Sequence, residues 1–212
     1  MDKQDKKQTP LRLLTSVPNK DYSSLIVRYP YQTDDEYAHA YHFSAERLAT
    51  TFSGNPIDDC LLLPFLTLYR HAFELQLKST IRSLVLLRIR YREGPTSELL
   101  EASSTKQLKD NLGHRLYPLL NEVKNHFNAL DLPEAFPKSI EGMIAKLHEA
   151  DNAGTAFRYA GLLPESEERA DFPDLAAMLN REFELLCVVT DYAEEFYGPV
   201  PTLDEIAGDI YE

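Results

Sequence analysis

Arg70, His71, Glu74 and Lys78 fall within nine consecutive residues, and each is a side chain that can move a proton or hold an anion. Arginine suits two-point contact with a phosphate, lysine supplies a compact positive charge, and histidine titrates near neutrality. A glutamate between them can orient the cations or fix a histidine tautomer. The surrounding stretch, residues 60–92, is apolar almost all the way round. On a helix that advances about 100° per residue, Arg70, Glu74, Thr67, Lys78, His71 and Arg82 share a wedge of about 120°. Leucine, phenylalanine and alanine cover the rest. Charged groups on a helix built for burial are either paired or in use. The alternative use is an i,i+4 ion-pair ladder of Arg70, Glu74 and Lys78 that fixes helix register.

Further polar groups stand far along the chain. His114 follows Gly113 just before an amphipathic segment, and Asp151 and Arg158-Tyr159 flank a turn at Asn152-Ala-Gly154. His71 and His114 are candidate acid–base groups. Arg70, Glu74, Lys78, Asp151, Arg158 and Tyr159 are candidate ligand-binding residues. Convergence of the three segments on one site is the expectation, since each sets polar residues among apolar ones. The plainer possibilities are a hydrogen-bonded structural His71, a helix-starting His114, and an Arg158 that only pairs with Asp151 or Glu74. Arg88, Arg90 and Arg92 extend the basic run, so that residues 70–92 hold six Lys and Arg against Glu74 alone. Arg88 and Arg92 share a face that could meet a phosphate backbone.

These residues must be positioned by helices. Eight glycines in 212 residues are few for a sheet-rich chain. Asp34-Asp35-Glu36 starts a helix reaching about Phe52, with Tyr37, Tyr41, Phe43, Leu48 and Phe52 as its core residues. The central helix spans 58–92, capped by Asp58 or Asp59, with Pro64 in its early turns. Residues 96–113 are polar and aperiodic. A helix over 115–127 carries Leu116, Leu119, Leu120, Val123 and Phe127. A shorter one, capped by Ser139, ends near Ala150 with Ile140, Met143, Ile144 and Leu147 inside. Residues 155–159 read as extended and 160–170 as an acidic loop. A long helix from Asp171 to about Phe196 places Leu175, Met178, Leu179, Phe183, Leu186, Val189 and Tyr192 at three- and four-residue spacing. The expected fold is all-α: about five helices packed around helix 58–92. Residues 1–33 read as an N-terminal arm with Lys3, Lys6 and Lys7 and an extended piece at 24–29. Residues 34–198 form one bundle, and 199–212 an acidic tail.

Composition narrows the function classes. The net charge of −12 comes entirely from residues 161–212, with fourteen acidic residues against Arg169 and Arg181. A pI near 5.0 disfavours a protein that coats itself in nucleic acid, though not a local basic site. Cys60 and Cys187 resemble small core residues; no Cys/His cluster suggests zinc, and no cofactor is implied. No secretory signal or membrane-length apolar run is visible, which reads as a cytoplasmic protein without membrane partners. There is no glycine-rich phosphate loop, no HExxH and no serine-hydrolase elbow, and Glu-x-x-His does not occur on two helices as a di-metal bundle requires.

The string from Leu63 to Lys78, LPFLTLYRHAFELQLK, resembles bacterial helical proteins of the HEPN-like kind, which carry a Tyr-Arg-His-x-x-Glu-Leu-x-Leu-Lys helix. Gly113-His114 before an amphipathic helix and Asp151 followed by Phe157-Arg158-Tyr159 are similar to two further motifs of that group. The resemblance spans roughly residues 35–195 by order of features. It implies a HEPN-like helical bundle, a homodimer, and a nucleotide-binding module or metal-independent RNase in bacterial defence. Catalytic members carry Arg, four to six residues, then His on one helix. None of the six histidines here has an arginine five to seven positions before it. Cleavage chemistry would therefore rest on His71 and His114. Whether the chain is an enzyme stays open, against a non-catalytic module that dimerises or docks a protein partner.

Overall fold

The computed structural model describes residues 33–160 and 169–209, and all the regular structure among them is helical. The N-terminal arm before residue 33, including the extended piece at 24–29, and residues 161–168 of the acidic loop lie outside that description.

Helix α1 (Asp34–Ala49) begins where Thr33 and Glu36 close a capping box, each side chain accepting the other's backbone N–H at 3.2 and 2.7 Å. Its buried residues are Ala38 and Ala45. Tyr37, Phe43 and Phe52, expected in the core, are instead exposed. Helix α1 packs against both α2 (Asp59–Arg88) and α6 (Phe172–Tyr197), and small residues at the contact let the backbones approach closely. Aromatic contacts there include two α1 histidines against α6, where His42 stacks on Phe183 at 4.3 Å and His39 meets the same ring edge-on at 5.8 Å.

Helix α2 is the axis of the bundle and packs against α1, α4 (Leu116–Ala129) and α6. At about 1.5 Å per residue it runs about 45 Å. Asp58 does not cap it. The Asp58 carboxylate instead accepts from Ser53 N, Ser53 Oγ and Asn55 N at 2.8 to 3.1 Å, which fastens the preceding turn. The helix stops at Arg88 because residues Ile89–Glu93 widen into a π-type turn closed by Gly94 at φ +72°. Cys187 is mostly buried, but Cys60 is exposed near the helix start, contrary to its expected place in the core.

Residues 96–113 are not irregular. They hold a short helix α3 (Ser97–Ala102), capped by Thr96, and a second π-type turn, Gln107–Asn111. Each buries one leucine, Leu99 and Leu108, which is too little to leave a period in the sequence. Helices α4 and α5 (Lys138–Ala150) bury the stripes expected of them, with Pro137 rather than Ser139 at the start of α5. Leu179, Phe183, Leu186 and Val189 form the inner face of α6. The acidic tail contains a further short helix, α7 (Leu203–Asp209).

Candidate functional site

The chain folds two loops onto the polar wedge of α2. Gly113, at φ +60°, turns the chain into His114, whose carbonyl accepts a hydrogen bond from Arg70 Nη2 at 2.7 Å. At the end of α5, Asp151 turns its own side chain back to accept from Thr155 N and Ala156 N at 2.8 and 3.0 Å. That Asx-type closure sets Gly154 at φ +77° against the guanidinium, where an added Cβ would sit 2.7 Å from Arg70 Nη1. Arg70 Nε donates to the Asp151 carbonyl at 3.0 Å and lies 3.3 Å from its carboxylate. Arg70 is thus a buried bolt through two loops. Burial lowers its pKa, opposed by the charges of Asp151 and Glu74.

Glu74, 2% exposed, is the hub. Its Oε1 accepts from Lys78 Nζ at 2.7 Å and from His114 Nδ1 at 2.9 Å; its Oε2 lies 3.7 Å from Arg70 Nη1 and 3.8 Å from His71 Nδ1. Burial by itself would raise the Glu74 pKa, but the facing donors on His71, Lys78 and His114 outweigh it and hold the carboxyl at about 2. A carboxylate acceptor requires the proton of neutral His114 on Nδ1, which leaves its Nε2 as a lone pair. His114 is largely exposed, so that lone pair is reachable. His71 is half-buried and edge-on to Tyr41 at 4.4 Å.

His71, Glu74, His114, Arg70, Asp151 and Arg158 line one cavity of about 230 Å³, joined by Tyr41, Thr67, Leu68 and Gly154. Lys78 meets Glu74 from outside that lining. Tyr159 is likewise not on it; its ring is 60% exposed and lies 5.8 Å from Arg158 Cζ. Residues 155–159 form a turn rather than an extended strand, with Thr155 O accepting from Arg158 N and Tyr159 N, both at 3.1 Å. The turn brings Arg158 to the cavity. Its side chain is exposed and has no hydrogen-bond partner among the described residues.

The remaining basic run does not reach this cavity. Arg82 pairs with Asp34, Arg88 with Glu93, and Arg92 lies 3.7 Å from Asp131. The expected phosphate-backbone face of Arg88 and Arg92 is therefore paired within the chain, with Glu93 and Asp131. Sequence reasoning overlooked Gly154 and Tyr41 as parts of the site. The turn around Gly154 was legible, but its contact with Arg70 depends on a tertiary approach of residues 84 positions apart. No group of three or more His, Cys, Asp or Glu among the described residues is arranged to hold a metal ion. Among those residues no helix is long and apolar enough to cross a membrane.

With both histidines neutral, Arg70, Lys78 and Arg158 exceed Glu74 and Asp151 by one positive charge. The arrangement offers an anion one exposed cation, Arg158, and two imidazoles that share a buried carboxylate. Compared with protein-family models, curated proteins and solved structures, the chain matches none.

Proposed function

We propose that this chain is a HEPN-like, homodimeric module whose α2 cavity binds a phosphate-containing ligand, a nucleotide or RNA, and cleaves RNA without a metal. The observation that carries the reading is the pair His71 and His114 gathered on one buried Glu74 beside the exposed Arg158. A cavity of about 230 Å³ suits the phosphoryl end of such a ligand, with the remainder outside. Arg158 meets the phosphate, and the exposed ring of Tyr159 stands beside it for a base or sugar.

In cleavage, His114 Nε2 takes the proton of the ribose 2′-hydroxyl as its oxygen attacks phosphorus. The bond from phosphorus to the 5′-oxygen breaks, and protonated His71 supplies the proton to that leaving oxygen. Arg158 offsets the charge developing on the phosphoryl oxygens. The products are a 2′,3′-cyclic phosphate and a 5′-hydroxyl. Glu74 serves as the orienting group, since it fixes the His114 tautomer and stabilises the imidazolium that forms.

Arg70 supports a second reading. Its hydrogen bonds are spent on the loops at 114 and 151, as a structural wedge would have them, so the same cavity in a non-catalytic interaction module would dock a partner's acidic segment. Incubation of the protein with total RNA and EDTA separates the two. The first reading expects cleavage that falls about a hundredfold or more in His114→Ala and Arg158→Ala. Absence of cleavage, with nucleotide still raising the melting temperature of the wild type but not of Arg158→Ala, leaves a binding module; absence of both leaves the protein-docking reading.

A further inference from the structure

A second cavity, of about 310 Å³, lies where α3, α4 and the C-terminal end of α2 meet. Its most buried polar residue is His126, 4% exposed, on α4. Arg88 Nη1 approaches His126 Nδ1 at 2.7 Å. A guanidinium can only donate, so Nδ1 must accept, and the imidazole proton belongs on Nε2. That nitrogen is buried and has no hydrogen-bond partner; the nearest carboxylate oxygen, on Glu122, is 3.7 Å away. Burial and the adjacent Arg88 lower the His126 pKa to about 4, so the ring is neutral near pH 7 and Nε2 is a lone N–H donor. Buried donors of this kind ordinarily have an acceptor.

The rim has the opposite character. Glu98 and Glu101 on α3 and Glu122 on α4 line the cavity. The charge of Arg88 does not offset them, because Glu93 takes up its Nε and Nη2 at 2.7 and 2.9 Å. Both π-type turns contribute here, one supplying Glu93 and the other Gln107, and such turns recur at functional sites.

We infer that this cavity binds a small organic cation that also carries a hydrogen-bond acceptor, its ammonium or guanidinium facing Glu98, Glu101 and Glu122 and its acceptor meeting His126 Nε2–H. A metal ion does not fit the same geometry. With Nδ1 committed to Arg88, coordination through Nε2 would require a doubly deprotonated ring. The size lies at the low end of ligand cavities, about 300 Å³ and up, which points to a molecule of amino-acid dimensions.

The test uses the full chain and argininamide, which joins cationic groups to a carboxamide oxygen, beside agmatine, which lacks the carbonyl. Binding is read by calorimetry and by the ¹⁵N and ¹H shifts of the His126 imidazole. Argininamide should bind one to one and shift the Nε2–H resonance. Agmatine should bind roughly tenfold or more weakly, because it leaves the donor unpaired. The double variant Glu98→Gln, Glu101→Gln, at two exposed positions, should fold normally and lose argininamide by a similar factor. Equal affinity for the two probes, unchanged affinity in the double variant, or no binding of argininamide at all would overturn the inference. So would calcium or magnesium displacing the probe with direct coordination at His126.

Discussion

The two cavities along α2 invert one another. At Glu74 the carboxylate is buried and two histidines stand towards the rim; at His126 the imidazole is buried and carboxylates form the rim. Burial disfavours the charged form in both places, yet the outcomes differ. Glu74 keeps its charge because Lys78, His114 and His71 face it, whereas His126 faces a guanidinium and becomes neutral. What surrounds a buried titratable group decides its state, more than burial itself. The first arrangement produces outward-facing bases, and the second an inward-facing donor.

The largest difference between them should be in stability. Glu74→Gln removes the negative charge that Lys78, 7% exposed, faces and replaces one carboxylate oxygen by an NH2 donor, turned towards cations and imidazoles. Breaking a buried pair in this way costs roughly 3–5 kcal/mol. Glu122→Gln at the other rim should stay within about 0.5 kcal/mol. Chemical denaturation of the two variants side by side makes the comparison; similar losses would show that Glu74 is not the hub described here.

Acid should separate the cavities next. His126 has its pKa lowered from 6.5 to about 4, so the unfolded chain binds a proton there before the folded one does. Its contribution is therefore complete above about pH 6.5 and is lost as pH falls towards 4, a change of roughly 3 kcal/mol. Glu74, lowered from 4.5 to about 2, contributes above about pH 4.5 and loses that contribution only between there and pH 2. Stability measured against pH should show two steps, and His126→Asn should remove the upper one alone. A single step, or an upper step that survives in the variant, would contradict the environment assigned to His126.

A smaller effect concerns the loops. Gly154 and Gly54, the latter in the turn before α2, both have φ +77°, but only Gly154 abuts a side chain, the guanidinium of Arg70. Gly54→Ala should cost roughly 1 kcal/mol for its backbone alone. Gly154→Ala should cost more, up to roughly 3 kcal/mol, because Arg70 must also shift and release the loop at His114. Equal costs would mean that Arg70 does not bolt the loops.

Much of this frame was legible in the chain. The helical stripes of α4, α5 and α6 bury the expected leucines because each spans several turns, long enough for a 3.6-residue period to emerge. The wedge on α2 was readable because six polar residues interrupt a helix otherwise suited to burial. The faces of α1 were not: Tyr37 and Phe43 suggest a core by hydrophobicity alone, while close packing selected Ala38 and Ala45. Nor was the division of labour among the cations. Arg70, Lys78 and Arg158 look equivalent as letters, and only the tertiary approach of the loops commits Arg70 to backbone carbonyls and Lys78 to Glu74, leaving Arg158 exposed. His126 gave no sequence signal, since its tautomer depends on Arg88, which the π-type turn after α2 brings alongside Glu93.

The cavity at Glu74 is tested most directly by titrating the ¹⁵N-labelled protein with uridine 3′-monophosphate while following the imidazoles of His71 and His114. A phosphate held by Arg158 should raise the pKa of both histidines together, and Arg158→Ala should weaken binding by roughly tenfold or more while leaving the His126 resonances unchanged. Imidazole titrations of His71 and His114 that are identical with and without millimolar nucleotide would contradict a phosphate site at this cavity.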